Sequence, residues 1–332
     1  MANLSGKLVA SRYLVVSLVA SGGMASVYLA NDQVLERKVA LKVIHPHLAK
    51  DKTFVDKFQR EAKMAAQLSH PNLVNVFDQG QDGDVIFLVM EYVPGITLRD
   101  AMNDFGALDA SRALEIIEPL TEALAAAHSA GILHRDLKPE NVFLSDGGKV
   151  KLGDFGLARE ISEHTQTGSV VGTVAYLSPE LVLRGQADAR SDIYSLGVMI
   201  FEMLTGKQPY QGEAAVQVAY QHANENIPAP STVKPGVPEL LDEIVLWSTA
   251  RNPSHRPASA IALLPVVARA RADLSRGLTT RLSQIDKTAR INLNQSFVVP
   301  AGATEVLDVA NIEEFASFSG IATKLDLSLI HI

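Results

Sequence analysis

The chain has no cysteine in its 332 residues. A disulfide framework, a thiol nucleophile and a thiolate-held zinc are thereby excluded, and the composition fits a reducing compartment. Basic residues are outnumbered, Lys+Arg 30 against Asp+Glu 37, for a formal net charge of -7. An acidic balance argues against a general nucleic-acid binder while leaving room for a local basic cleft. Long apolar runs are missing too. Ile193–Leu204 is interrupted by a glycine and ends at Thr205-Gly206, short of the roughly 20 residues that cross a bilayer, so it reads as a buried core helix. Leu14–Ala20 follows Lys7 and Arg12 as a signal-peptide core would, yet it feeds directly into Ser21-Gly22-Gly23 and Val27-Tyr28-Leu29. That order reads as strand, tight turn and returning strand. No membrane span is predicted, and the expected location is cytoplasmic.

What is present is enough for a large core. Hydrophobic residues make up 47% and charged residues 20%, which excludes disorder throughout and, at this length, implies one large two-lobed domain or about two domains. The first part is strand-rich: Tyr13–Ala20, Val27–Ala30 and Lys38–Ile44 carry β-branched and aromatic residues between Gly, Asn and Asp. Thr53–Ser69 has helical spacing, with Thr53 as expected cap and His70-Pro71-Asn72 as stop. Val74–Asp78 and Val85–Tyr92 read as two further strands joined by the polar turn Gln79–Asp84. From Thr97 the pattern turns helical, with helices expected at Ala110–Ser129, Ser191–Thr205, Glu213–Asn224, Glu239–Ala250 and Ala258–Asp273, and a hairpin around Asp146-Gly147-Gly148. The composition then shifts to Thr, Ser, Asn and Gln, so 274–332 is expected to be a mostly flexible tail, with a short amphipathic helix conceivable over Thr304–Ser319. A β-rich lobe followed by an α-rich lobe implies a ligand-binding cleft between them.

Four strings carry the chemistry: Val39-Ala40-Leu41-Lys42, His134-Arg135-Asp136-Leu137-Lys138-Pro139-Glu140-Asn141, Asp154-Phe155-Gly156 and Ser178-Pro179-Glu180. In this order they resemble the eukaryotic-type serine/threonine protein kinases, over roughly residues 13–273, and the bacterial branch that includes actinobacterial PASTA-type receptor kinases. The resemblance implies a two-lobed α+β fold, with a β-rich N-terminal lobe and hinge at 13–93 and a helical C-terminal lobe at 94–273. It implies transfer of the γ-phosphoryl of ATP to Ser or Thr hydroxyls of protein substrates. Mg²⁺ is the implied metal, with Mn²⁺ as an alternative.

The roles follow the family by position. Lys42 would reach the α- and β-phosphates, oriented by Glu61. Asp154 and Asn141 would supply hard oxygen ligands to the metal. Asp136 would accept the proton of the substrate hydroxyl, Lys138 would stabilise the transferring phosphate, and His134 would pack beneath Phe155. Gly22 and Gly23 lie in the phosphate-covering loop, where backbone without a Cβ can approach phosphate closely. That loop departs from the family pattern G-x-G-x-x-G, with Ala20 and Ala25 at the first and third glycine positions. Leu18, Val27 and Ala40 would line the adenine pocket, and Met90, Glu91 and Val93 align with the hinge.

Asp154–Glu180 reads as the activation segment. Thr165 and Thr167 are its expected autophosphorylation sites, because Arg135 beside the catalytic Asp136 can pair with phosphate. Thr173 matches the family threonine that shapes the acceptor site. Glu180 and Arg256 match a buried ion pair, and Asp192 matches the residue that anchors the catalytic-loop backbone. The resemblance also implies a possible homodimer through the N-lobe and, in full-length relatives, a membrane tether. Two other functions compete. A non-catalytic pseudokinase is suggested by the altered glycine loop alone. A small-molecule phosphotransferase of the same fold would generally lack the Ser-Pro-Glu segment.

Overall fold

The structure is a computed structural model and describes residues 4–155 and 174–276. Its first sheet is antiparallel: β1 (Leu8–Val9), β2 (Tyr13–Ser21), β3 (Ala25–Asp32), β4 (Arg37–Ile44), β5 (Val76–Asp82) and β6 (Val85–Glu91), in spatial order β1-β2-β3-β4-β6-β5. Side chains alternate across a strand, and that period divides β4 in two. Val39, Leu41 and Val43 enter one apolar layer with Tyr13, Val15, Tyr28 and Phe87. Ala40 and Ile44 enter the opposite layer with Ile86, Leu88, Met90 and the helical residues Phe58 and Ala62. Lys42 shares this second face by register, so the strand's own periodicity aims its ammonium at the helix and cleft side.

Helix α1 spans Lys52–Ala65 and is capped by Asp51, whose carboxylate accepts from the backbone N–H groups of Thr53 and Phe54. The expected cap, Thr53, is inside the helix because Asp51 already satisfies the first orphan donors. The helix also stops before His70: the N–H groups of Gln67 and Leu68 turn back three residues, to Met64 and Ala65, and the chain leaves in tighter turns. A second correction concerns Gln79–Asp84. Most of it is strand, since β5 pairs with β6 as far as Asp82 opposite Val85. Gly83, at φ 58°, occupies the actual turn. The polar sequence of β5 is tolerated because this strand is the edge of the sheet.

The second sheet is small: β7 (Gly95–Thr97), β8 (Val142–Ser145) and β9 (Val150–Leu152). It connects to the first lobe where Asn72 accepts from Leu152 N and Val74 donates to Leu152 O, at 2.8 and 2.9 Å. The helical body comprises α2 (Leu98–Phe105), α3 (Ala110–Ser129), α4 (Pro179–Arg184), α5 (Ala189–Thr205), α6 (Ala215–Asn224), α7 (Pro230–Val233), α8 (Glu239–Ser248) and α9 (Ala260–Ser275). In α3, Ala113, Leu114, Ile117, Leu120, Ala123, Leu124 and Ala127 form the buried stripe of an amphipathic helix.

Helix α5 is buried on nearly all sides, as its apolar run around Gly197 suggested. Its glycine has a packing reason: a Cβ on Gly197 would lie 2.6 Å from Thr249 and 2.8 Å from Ser248 side-chain atoms. The C-terminal end of α8 can therefore approach α5 closely only because that side chain is absent. Among the described residues, no helix is long and apolar enough to cross a membrane. The region after Arg276, including Thr304–Ser319, lies outside the described residues.

Candidate active site

The cleft between the lobes collects residues that the sequence keeps far apart. Lys42 Nζ donates to Asp154 Oδ1 at 2.7 Å, across 112 residues of chain. Burial drives the Asp154 carboxyl upward, but the charge and hydrogen bond of Lys42, with the charge of Lys138, outweigh it and hold the group below its ordinary value. Sequence reading did not anticipate this pair, in which the Lys42 ammonium meets the Asp154 carboxylate. Glu61 is half-buried on α1. Asp154 has φ 55°, a left-handed backbone rare for a residue with a side chain and frequent where function fixes a conformation.

The loop before β8 has the same character. Arg135 has φ 63°, and Asp192 from α5 holds the strained stretch. Its two carboxylate oxygens accept from His134 N at 2.7 Å and Arg135 N at 2.8 Å, and His128 Nε2 lies 3.0 Å from Oδ2. Burial raises the Asp192 carboxyl, yet the contact with His128 and the surrounding donors bring it below its usual value. His134 is fully buried. Its Nε2 lies 2.9 Å from Gly153 O, its ring packs 4.7 Å from that of Phe155, and burial depresses its basicity.

On this support Lys138 Nζ donates to Asp136 Oδ2 at 2.7 Å. Asn141 Nδ2 donates to Asp136 O at 2.7 Å and reaches Oδ2 at 3.2 Å. The amide nitrogen of Asn141 is thus spent on Asp136, so its oxygen is the atom it could offer to a metal. An amide oxygen and a carboxylate, from Asn141 and Asp154, are donors of the kind that Mg²⁺ and other hard divalent ions take. The residues present therefore fit a divalent metal.

The roof of the cleft is the turn between β2 and β3. Ala20 pairs with Val27 and Val27 with Lys42 in the sheet register, which stacks Val27 above the lysine row. Leu18 stays 52% exposed, beyond a register shift between Val15 and Ser17. Gly22 N donates to Ala25 O at 2.9 Å, and the buried His45 places Nε2 2.7 Å from Gly22 O. His45 N also donates to Met24 O at 2.9 Å. The histidine following β4 thus ties down the turn containing Gly22 and Gly23. Sequence reading missed this residue, since a single histidine at a strand end carries no signature.

At the back, Ala40 pairs with Met90, and both are buried. Glu91 turns its carboxylate to Lys151 and Asn75, and its N–H donates to Asn75 O at 2.8 Å. Val93 follows in the half-buried link to β7.

Below the cleft, Arg256 makes a two-pronged contact with Glu180, at 2.8 and 2.9 Å, and Ser191 Oγ donates to the same carboxylate at 2.7 Å. Burial raises the Glu180 carboxyl, and Arg256 more than reverses the effect. Thr165, Thr167 and Thr173 lie outside the described residues.

The chain is similar to known proteins. A family model described as the protein kinase domain matches residues 13–264. Serine/threonine-protein kinase PknL of Mycobacterium tuberculosis is 47% identical over 262 residues, which cover 78% of this chain and 66% of PknL. Serine/threonine-protein kinase PrkC of Bacillus subtilis is 42% identical over 259 residues, covering 77% of this chain and 40% of PrkC. The chain thus spans just under two thirds of the first relative's length and well under half of the second's. The crystal structure of the Mycobacterium tuberculosis PknI kinase domain superposes with a TM-score of 0.65 at 30% identity, covering 80% of this chain and 98% of that one. A match that starts with β2 and runs into α9 takes in both sheets except β1, the helical body and the cleft they enclose, and by that extent the chain belongs to the protein kinase family, with its two-lobed fold.

Proposed function

We propose that the chain is an active serine/threonine protein kinase, which moves the γ-phosphoryl of ATP to Ser and Thr hydroxyls of proteins and phosphorylates its own activation segment. The observation that carries this reading is the 2.7 Å contact of Lys42 with Asp154, in the same cleft as the Asp136–Lys138 pair. Charge spreads over phosphate oxygens during transfer, so a kinase needs positioned cations and an oriented acceptor more than covalent chemistry.

In this reading Lys42 holds the α- and β-phosphates, and Glu61 orients Lys42 once the triphosphate is bound. Asp136 receives the acceptor proton, and Lys138, already beside Asp136, follows the phosphoryl as it moves. Asp154 and the oxygen of Asn141 hold a divalent ion, Mg²⁺ in preference to Mn²⁺, which neutralises phosphate charge when bound. Among the described residues no group of three or more His, Cys, Asp or Glu gathers to hold a metal unaided, so Asp154 and Asn141 would hold it together with groups from outside the chain. Leu18, Val27, Ala40 and Met90 enclose the adenine, the backbone of Glu91 and Val93 reads its edge, and Gly22 and Gly23 cover the phosphates.

The lobes divide near 93/94, the catalytic unit ends near 273, and 274–332 serves as a linker. Cysteine-free composition supports a cytoplasmic setting, with a tether in the full-length protein. Exposed Leu8, Val34 and Leu35 support a homodimer through the β-rich lobe.

Incubation with radiolabelled ATP and either metal, followed by phosphoamino-acid analysis and phosphosite mapping, tests the proposal. Labelled phosphothreonine or phosphoserine, with Thr165 and Thr167 among the sites, is the expected result. No label with either metal would leave a non-catalytic scaffold as the better account.

A further inference from the structure

A second charged cluster lies beside the catalytic loop and takes no part in the roles above. Arg99 stands in the first turn of α2, whose start is fixed by a reciprocal capping box between Thr97 and Asp100. Its guanidinium spans three other elements. Nε donates to Glu140 Oε1 at 2.8 Å, Nη1 to Glu202 Oε1 at 2.7 Å, and Nη2 to the Tyr176 hydroxyl at 2.5 Å. Nη2 also approaches Glu202 Oε2 at 3.4 Å, and the Tyr176 hydroxyl donates to that oxygen. Gln208 Nε2 lies 3.4 Å from the same hydroxyl. Burial and the charge of Glu202 push the Tyr176 phenol well above its ordinary value, so it stays a donor.

The location gives this cluster a meaning. Glu140 belongs to the Pro139–Asn141 turn, two residues after Lys138, and its side chain is 42% exposed. Tyr176 immediately precedes Leu177 and Ser178, at the end of the activation segment. Both therefore belong to the side of the cleft where a protein acceptor must lie. Glu202 is buried and reaches this place from α5. Two carboxylates converging on one point form a receptor for a guanidinium or ammonium, because planar nitrogen donors match paired oxygens. Here the cation is supplied from within.

We propose that Arg99 sets acceptor specificity by occupying the Glu140–Glu202 carboxylate pair, so that the enzyme does not select arginine or lysine near the phosphorylated residue. An acceptor cation would meet carboxylates already engaged and a guanidinium of like charge. Removing the Arg99 charge exposes the pair and converts the site to one that takes a cationic side chain from the acceptor. The proposal rests on the protein-kinase reading and deepens it.

The test uses the full chain and a peptide series: one neutral parent peptide with a single Thr acceptor, and variants carrying one Arg at each position on either side. Phosphorylation of the parent by the wild type tests the kinase reading on its own, and failure there counts against that reading. Given that activity, the wild-type series should be flat, within about twofold in kcat/KM. Arg99→Leu should favour Arg at one or more positions by about tenfold, the factor expected from one charge-assisted hydrogen bond. The gain should fall in peptide KM, with ATP KM unchanged, and adding Glu140→Gln should cut it. A flat series for Arg99→Leu that still phosphorylates the parent overturns the proposal. If Arg99→Leu does not fold, Arg99→Gln serves in its place, and an arginine preference in the wild-type series overturns the proposal without any variant.

Discussion

Arg256→Met gives the sharpest stability prediction. The Arg256 side chain is wholly buried. Besides its two bonds to Glu180, it donates to the carbonyls of Ala250 at 2.6 Å, Arg190 at 3.1 Å and Arg251 at 3.0 Å, and it lies 4.8 Å from the ring centroid of Tyr194. Methionine fills part of the volume and supplies none of these donors. Glu180, half-buried with Ser191 as its remaining side-chain donor, keeps a charge without its counter-ion. Breaking a buried pair from one side costs about 3–5 kcal/mol. At about 2–4 °C per kcal/mol for a domain of this size, the melting temperature should fall by roughly 6–20 °C.

Thermal and urea melts measure this directly, and two further arms examine the cause. Arg256→Met with Glu180→Leu should recover part of the loss, because removing both charges ends the unpaired burial. The Glu180 carboxyl is depressed in the folded state, so the pair stabilises above the unfolded value near 4.3 and is lost as pH falls through the folded value; the cost of Arg256→Met should therefore shrink in acid. A loss under about 1 kcal/mol, the range of an exposed ion pair, would refute the reasoning.

Three other outcomes can be checked. Burial holds the His222 imidazole down to about 4 from 6.5, so the unfolded chain takes up a proton that the folded chain refuses. Stability should decline as pH drops from about 6.5 to about 4, by up to about 3 kcal/mol from this group, and His222→Gln should flatten that slope in pH-dependent melts; parallel slopes in both proteins would contradict the assignment. His45→Ala removes the contact with Gly22 O at 2.7 Å and should raise ATP KM by about fivefold, the worth of one ordinary hydrogen bond. Unchanged ATP KM would make the tether incidental. Lys42→Met should lower single-turnover transfer sharply, and undiminished transfer would remove its phosphate role.

The sequence made the large elements legible because their periodicity is strong. The β-branched and apolar stretches Lys38–Ile44 and Val85–Tyr92, and the apolar runs that became α3 and α5, survive as strands and buried helices. Boundaries failed where a polar side chain outside the apolar pattern set them, as Asp51 does for α1. The polar second half of β5, Gln79–Asp82, was read as a turn because an edge strand need not alternate. At the site, motif order alone named Lys42, Asp136, Asn141 and Asp154, which the fold gathers in one cleft. It could not reveal that Lys42 meets Asp154 at 2.7 Å, since the two are 112 residues apart and only backbone placement brings them together. His45 and Arg99 were illegible for a related reason: each acts through partners distant in sequence, Gly22 for the first and Glu140, Tyr176 and Glu202 for the second.

The most direct measurement is single-turnover phosphoryl transfer to a protein acceptor by Asp136→Asn beside the unaltered chain, with ATP affinity measured in parallel. Proton acceptance by Asp136 predicts a fall in transfer of about 10²–10⁴-fold with ATP binding retained. Transfer within a few-fold of the unaltered protein would contradict it.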